Sequence, residues 1–399
     1  MTPLLCICVP TYGRAGHVAD LLALLTREIG DRDDVIVFVS DNASPDATAE
    51  VLAAHAARSP WLRFYRQDEN VGPFRNLQWL IEHAPASEYL WCFGDDDRVL
   101  PGALAHTAEL LREHRPTWLF NPYDSIDRDG VVGGGSPVPG VVQHYADAPA
   151  MYREWHHWLT FLSSSVVRTE AMRQAMRDTT AENAYLPVLW AFRAALHGRC
   201  MVAAEPAIRA STDISWADVA HLYQTLHFTS LFDDGLHLGL TEEEFGVTLD
   251  GLYVDGFGDW QWRKVPLERL AAAVRRFPQS RGLRRLLWEI AGEQERPDVL
   301  ADLDAACRAM GLHVTVAELV AAGERAFAAG ELPQAARLFA EAVELMPTWV
   351  PAWNGLAVAG FYTGDPAAPA AARSALFVAP DDADAIANHA AISAAPIAV

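Results

Sequence analysis

The chain has 399 residues, 51% of them apolar, which is enough for two or three domains with sizeable cores and too apolar for a disordered chain. Its formal charge of −21 argues against a nucleic-acid partner and against general electrostatic attachment to anionic lipid, since both need a basic surface. Five scattered cysteines (Cys6, Cys8, Cys92, Cys200 and Cys307) suit a reduced, cytoplasmic protein. The apolar run Leu4 to Val9 is too short for a secretory signal, and nothing approaches the roughly 20 apolar residues of a membrane span.

Strand and helix alternate over the first 120 residues. Leu4 to Val9 reads as a buried strand and is followed by Pro10-Thr11-Tyr12-Gly13-Arg14. Val18 to Glu28 has apolar residues at helical spacing. A second strand, Val35 to Val39, runs into Ser40-Asp41-Asn42-Ala43-Ser44, and a helix follows over Ala47 to Ala57, with Ser44 or Asp46 as its cap. Leu62 to Tyr65 is a third strand and Phe74 to His83 a third helix. Tyr89 to Phe93 is a fourth strand, a helix runs from Pro101 to His114, and Trp118 to Phe120 is another strand. This alternation predicts an α/β fold with a mostly parallel sheet covered on both faces.

In such sheets ligands bind at the carboxyl ends of the strands, and each end here carries a polar group. The first offers backbone amides, a tyrosine ring and Arg14. The second offers Asp41, an acceptor for a base N–H or a ribose hydroxyl. The third leads to Asn70-Val71-Gly72-Pro73-Phe74-Arg75-Asn76, with Arg75 at a helix start that favours phosphate. The fourth leads to Gly94-Asp95-Asp96-Asp97, whose carboxylates repel one another unless a cation such as Mg²⁺ or Mn²⁺ neutralises them. Together they suit a nucleoside diphosphate, with the nucleoside near Asp41, the pyrophosphate near Arg75 and a cation on the triplet.

The runs Val-Pro-Thr-Tyr-Gly-Arg-Ala from Val9, Ser-Asp-Asn-Ala-Ser-Pro-Asp-Ala-Thr from Ser40, Asn-Val-Gly-Pro-Phe-Arg-Asn from Asn70 and Phe-Gly-Asp-Asp-Asp from Phe93 resemble family 2, GT-A-fold (Rossmann-like) glycosyltransferases over about residues 1 to 125. A weaker match continues through Phe161 to Arg168, Ala195 to Gly198, Glu205-Pro206 and Ser215-Trp216. It is most similar to the abequosyltransferase-like branch, which handles deoxysugars. The resemblance implies transfer of a sugar from a nucleotide donor, usually with inversion. It implies Pro10, Thr11, Tyr12, Arg14 and Asp41 toward the nucleotide, Arg75 near the phosphates, and the aspartates at ribose and metal.

Two departures from the family pattern bear on the chemistry. Many relatives have Asp-x-Asp-Asp, and Gly94 stands at the first Asp; the metal ligand is then Asp96 or Asp97, with Asp95 nearer the ribose. Many inverting relatives carry a Glu-Asp pair, the Asp serving as base, where this chain has Leu186-Pro187. Glu182 is the first replacement candidate and Asp213 the second. His156 and His157, beside Trp155 and Trp158, read as an acceptor platform.

Residues 126–150, with Gly133-Gly134-Gly135 and three prolines, read as a mobile loop beside the site. From Trp216 to His313 the pattern is helical. Eight basic residues between Arg263 and Arg285 are either a solvated helical face or a dock for an anionic acceptor or membrane surface. In the last 85 residues the run from Ala321 to Pro347 recurs from Trp353 to Pro380 at an offset of 33 to 34, the tetratricopeptide period. Two such repeats need support from the preceding helices or a second chain.

The expectation is therefore a GT-A domain over 1–215, a helical middle region over 216–313 and TPR-like repeats over 314–399. The function expected is metal-dependent transfer of a sugar from a UDP- or dTDP-sugar to a hydroxyl acceptor, such as a saccharide, a lipid-linked saccharide or a natural product. The place expected is the cytoplasm or the periphery of a membrane, with the repeats available for a protein partner or a second copy. A nucleotidyltransferase would show a glycine-rich N-terminal loop with a basic signature, which Pro-Thr-Tyr-Gly-Arg does not supply. The remaining alternative is a catalytically silent sugar-nucleotide binder whose repeats do the work.

Overall fold

Residues 2–126, 132–177, 186–211 and 263–394 are described in the computed structural model. The chain divides into two units, Met1–Leu240 and Thr241–Val399. In the first unit the apolar runs form β1 (Leu5–Thr11), β2 (Val35–Asp41), β3 (Leu62–Arg66) and β4 (Tyr89–Cys92). Helices α1 (Ala15–Ile29), α2 (Thr48–Ala56) and α3 (Pro73–His83) connect them. β1 and β2 are buried along almost their whole length, so neither alternates polar with apolar, as a sheet covered on both faces requires. Leu21, Leu22 and Leu25 of α1 pack onto Leu5, Ile7 and Val9 of β1 in one core.

Beyond β4 the chain makes β5 (Arg98–Val99), α4 (Ala103–His114), β6 (Trp118–Phe120), β7 (Tyr123–Ile126), β8 (Val132–Gly135) and β9 (Gln143–Tyr145). Then follow α5 (Ala148–Trp155), β10 (Ser165–Arg168), α6 (Thr169–Arg177), α7 (Leu186–Ala194), β11 (Cys200–Val202) and β12 (Ile208–Ser211). An eight-stranded sheet has the order β3-β2-β1-β4-β10-β6-β11-β9 and a four-stranded one the order β5-β12-β7-β8. Strands β3, β2, β1 and β4 are mutually parallel, whereas β10 runs antiparallel to both β4 and β6. The large sheet is thus parallel in its first half and mixed in its second.

The segment expected as a loop at 126–150 carries two short strands among its described residues. β8 pairs with β7, and β9 closes the edge of the large sheet against β11. The strands are polar and three or four residues long, so no apolar alternation marks them. Gly135 permits the pairing: a Cβ there would lie 2.3 Å from the Tyr123 carbonyl oxygen.

The second unit is helical wherever it is described: α8 (Leu267–Arg276), α9 (Arg281–Glu293), α10 (Leu300–Ala309), α11 (Leu312–Ala328), α12 (Leu332–Leu345), α13 (Val350–Thr363), α14 (Ala368–Val378) and α15 (Ala383–Ala394). Gly330 and Gly364 adopt the left-handed conformation just after α11 and α13, the usual helix stop. Close approach replaces bulky packing here. Cβ atoms at Gly323 of α11 and Gly355 of α13 would lie 2.7 and 2.4 Å from the Phe339 ring of α12, so two glycines clasp one phenylalanine. Trp288 of α9 stacks on Trp353 of α13 at 5.4 Å, and Thr348 Oγ1 donates to Asp304 Oδ1 of α10. The last helices therefore pack on those before them.

Part of the basic run is paired within the second unit. Arg263 pairs with Glu289 and Glu293, Arg275 with Asp302 and Arg285 with Glu289, and buried Arg284 donates to the Pro278 carbonyl. Among the described residues no single helix is long and apolar enough to cross a membrane.

Candidate active site

The parallel register of β1, β2 and β3 sets Thr11, Asp41 and Arg66 side by side at the carboxyl edge of the sheet. β4 ends on the same edge and delivers Asp95, Asp96 and Asp97. The four sequence segments singled out for their polar strand ends thus lie on one edge, and hydrogen bonds join them.

Arg14 is the bridge. Its Nη1 donates to Asp95 Oδ1 at 2.6 Å and to Asp96 Oδ2 at 2.8 Å. Thr11 Oγ1 donates to Asp95 Oδ2 at 2.6 Å, so both Asp95 oxygens have donors. Burial pushes the Asp95 carboxyl above its usual range, and Arg14 and Thr11 pull it part of the way back. Gly13 N–H donates to Ser44 Oγ and Ala15 N–H to Asp46 Oδ2, which ties the turn after β1 to the turn after β2. Asp46 also accepts from Thr48 N–H in a local turn. Neither Ser44 nor Asp46 occupies the cap position of α2, which falls to Ala47 without a side-chain bond.

Asp41 is fully buried. Its Oδ1 accepts from Ser44 N–H at 2.9 Å, while Oδ2 has no hydrogen-bond donor among the described residues. Arg66 Nε lies 3.8 Å from that oxygen, and Arg66 Nη2 donates to the Ser44 carbonyl at 3.0 Å. Next to it, Asn42 accepts from Val71 N–H and donates to Asn70 Oδ1, and Asn76 accepts from Ser40 Oγ at 2.7 Å. These bonds fix the loop that leads to α3, where Arg75 sits exposed in the first turn. Pro10 is half-buried at the end of β1 and the Tyr12 ring is exposed.

Asp97 turns inward. Ser163 Oγ donates to its Oδ2 and Ser211 N–H to its Oδ1 at 3.0 Å. Burial, with the neighbouring charge of Asp96 added, pushes its carboxyl up to about 7. Ser163 Oγ also accepts from Gly94 N–H, and the Ser163 carbonyl accepts from Trp91 Nε1. A Cβ at Gly94, the glycine that departs from the family pattern, would lie 2.7 Å from Asp97 Oδ2, so a larger residue here requires the Asp97 side chain to shift.

Hard-oxygen chemistry at the triplet suits a divalent cation. Arg14 pairs with Asp95 and Asp96, and its single charge does not balance the two carboxylates. Among the described residues, no three carboxylate, imidazole or thiol groups converge into a ready cage. The set fits a cation that draws most of its ligands from phosphate oxygens and water, which is the habit of Mg²⁺.

Glu182 and Asp213 lie outside the described residues, as do the side chains of His156 and His157. Three contributors were missed from sequence. Ser163 and Ser211 hold Asp97, and Arg66 flanks Asp41. The signal for Ser163 lay in the Leu162-Ser163-Ser164-Ser165 run; Ser211 acts through its backbone and leaves no signature.

Residues 6–138, about a third of the chain, match the model of glycosyl transferase family 2. Abequosyltransferase RfbV of Salmonella typhimurium is 32% identical over 103 residues, which are 26% of this chain and 31% of that protein. The uncharacterized protein Rv1520 of Mycobacterium tuberculosis is 33% identical over 98 residues, 24% of this chain and 28% of its own. The chain thus spans less than a third of the length of the curated relatives it matches. Among solved structures, Staphylococcus aureus TarS 1–349 in complex with UDP-GlcNAc superposes with a TM-score of 0.52 at 17% identity, covering 75% of this chain and 87% of that one. TarS 1–349 alone gives 0.51 at 18% identity, covering 75% and 86%. The fold is that of the GT-A glycosyltransferases, a mixed α/β domain, followed by a region that is helical among its described residues.

Proposed function

We propose that this chain transfers a sugar from a nucleoside-diphosphate donor, a UDP- or dTDP-sugar, to a hydroxyl acceptor. The observation that carries the reading is Asp41: a fully buried carboxylate with one oxygen lacking a donor. It stands on the same strand-end edge as the aspartate triplet, in the segment that matches the family model. An unsatisfied buried acceptor is costly, and a nucleoside N–H or hydroxyl would satisfy it. The exposed Tyr12 ring offers a face for the base. Arg75, at the start of α3, faces phosphate oxygens with the help of the helix N-terminus, and Asp95 serves the ribose.

Asp96 or Asp97 would hold Mg²⁺ or Mn²⁺, whose charge offsets that developing on the departing diphosphate. The other requirement is a base for the acceptor hydroxyl, on the sugar face opposite the diphosphate if the reaction inverts. Glu182 is the first candidate and Asp213 the second. A deoxysugar donor is suggested by the abequosyltransferase relative, and a saccharide, lipid-linked saccharide or natural product is the acceptor class. The helices from Leu312 onward we read as TPR-like repeats that bind a protein partner or a second copy, in the cytoplasm or at a membrane periphery.

Titration calorimetry of UDP and dTDP with Mn²⁺, repeated with chelator, tests the reading. Binding that weakens on chelation and on Asp41→Ala is expected. Absence of binding by both nucleotides with metal present would overturn it.

A further inference from the structure

From β8 toward β9 the chain reads Val132-Gly-Gly-Gly-Ser-Pro-Val-Pro-Gly-Val-Val142, with no charged side chain. Val132, Val138 and Val141 are 50%, 48% and 64% exposed, and Pro137 is exposed with them. Single exposed valines are ordinary. Here the backbone holds them out. Ser136 N–H donates to the Tyr123 carbonyl at 2.9 Å and Gly140 N–H to the Ala204 carbonyl at 3.0 Å. Ser136 Oγ accepts from Tyr123 N–H at 3.0 Å. Pro137 and Pro139 fix φ between these anchors, so Val138 cannot turn inward without breaking them. Val142 alone packs on the core.

The topology places this stretch beside the triplet. β10 runs antiparallel to β4 and to β6, and β11 runs parallel to β6. β4, β6 and β11 therefore end on the same edge. Ala204, just past β11 (Cys200–Val202), anchors Gly140 there. β11 is three strands from β4 in the order β4-β10-β6-β11, roughly 14 Å at the usual strand spacing. It lies on the side away from β2 and Asp41, where the acceptor has room to approach.

Area and charge decide what covers the valines. Together they expose on the order of 250 Å², about a third of the ~800 Å² that each partner of a stable protein pair buries. That is too little for a second copy or a protein partner to hold. A bilayer interface asks for no matching surface, because each apolar side chain that enters gains by its own area. The stretch carries no charge to desolvate, and a chain of net charge −21 gains nothing from anionic headgroups.

We propose that Val132, Val138 and Val141 seat the carboxyl edge of the sheet on the interfacial layer of a lipid bilayer, and that the acceptor is accordingly a lipid-linked saccharide. The membrane contact rests on the stretch itself; the acceptor class rests on the proposed sugar transfer and deepens it.

The test is flotation of the full chain with phosphatidylcholine vesicles, with and without added phosphatidylglycerol, at low and high salt. UDP calorimetry with Mn²⁺ is run on the same proteins. The parent should float with phosphatidylcholine alone and keep floating at high salt. The double variant Val138→Asp with Val141→Asp should lower the bound fraction about tenfold, and Val141→Leu should raise it, because binding follows buried apolar area. Both variants should bind UDP as the parent does. A parent that stays with the soluble fraction, flotation that salt abolishes, or an aspartate variant that floats like the parent would overturn the membrane contact and leave the donor site standing. Self-association without flotation, abolished by the aspartates, would also overturn it and assign the valines to a second copy. Flotation with no nucleotide binding would overturn the transfer reading, and the acceptor class with it.

Discussion

The two units use small and polar residues in opposite ways. In the first, a core of large side chains such as Trp91, Trp118 and Phe120 supports an edge where polar groups are bound to each other across three strands. In the second, glycine and alanine bring helices together, and Gly323 and Gly355 close on Phe339. The first unit's edge can lose a polar group and keep its core. The second unit has little to give at its contacts, because close-packed interiors do not absorb an added methyl freely. Chemistry should therefore separate from stability at the strand ends and not at the helix clasp.

The largest effect should come from the acceptor base. Loss of a general base costs about 10²- to 10⁴-fold in rate, so Glu182→Gln should bind donor normally and turn over at a small fraction of the parent rate. Full activity there, with loss in Asp213→Asn, would move the role to Asp213. Full activity in both variants would leave the histidine pair or an acceptor that needs no base.

Next comes the triplet. Asp96→Ala removes a carboxylate that is more exposed than its two neighbours and paired with Arg14, and should weaken Mn²⁺-dependent UDP binding about tenfold, at ~1.4 kcal/mol per decade, with the melting temperature nearly unchanged. Asp97→Ala should lower both, because Ser163 and Ser211 lose their acceptor. If calorimetry and melting separate in neither variant, or in both, the contrast between edge and core is drawn in the wrong place.

At the clasp the order reverses. Gly355→Val forces a side chain into the Phe339 ring and should cost about 1–3 kcal/mol, while UDP affinity stays at the parent value. A joint loss of nucleotide binding would show that the second unit supports the site. The smallest effect is expected from Ser44→Ala. It deprives Gly13 N–H of its acceptor and should cost about 1 kcal/mol, seen as a small shift in denaturant midpoint.

Asp41 and the triplet were legible because a buried parallel strand is a continuous apolar run and its first polar residue falls at the carboxyl end. Arg75 was legible because Pro73 marks a helix start. What stayed hidden depends on pairing between distant, short segments. β5 is two residues long and is held by β12, more than a hundred residues later; no local pattern encodes that. The inward turn of Asp97 follows from it, since Ser211 belongs to β12. The strands β8 and β9 were hidden for another reason, being polar and glycine-rich, and nothing in the sequence sets Arg66 apart at the end of a half-exposed strand.

The antiparallel strand β10 has a consequence for the order in which the molecule is made. It stands between β4 and β6 in the large sheet, so the two halves of that sheet cannot join until Ser165–Arg168 has been synthesised. The parallel half, β3-β2-β1-β4, needs only residues up to Cys92 and can begin to collapse on the ribosome, where chains fold from the N-terminus forward. For the whole interval in which the ribosome adds the residues from Asp97 to Ser163, the triplet stands at the end of a half-built sheet with its innermost carboxylate unheld. Translation speed through that interval, and any nucleotide or cation that reaches the growing chain, then bear on how much of it folds correctly. A ribosome-stalling series should show the early strands protected well before Asp97 is.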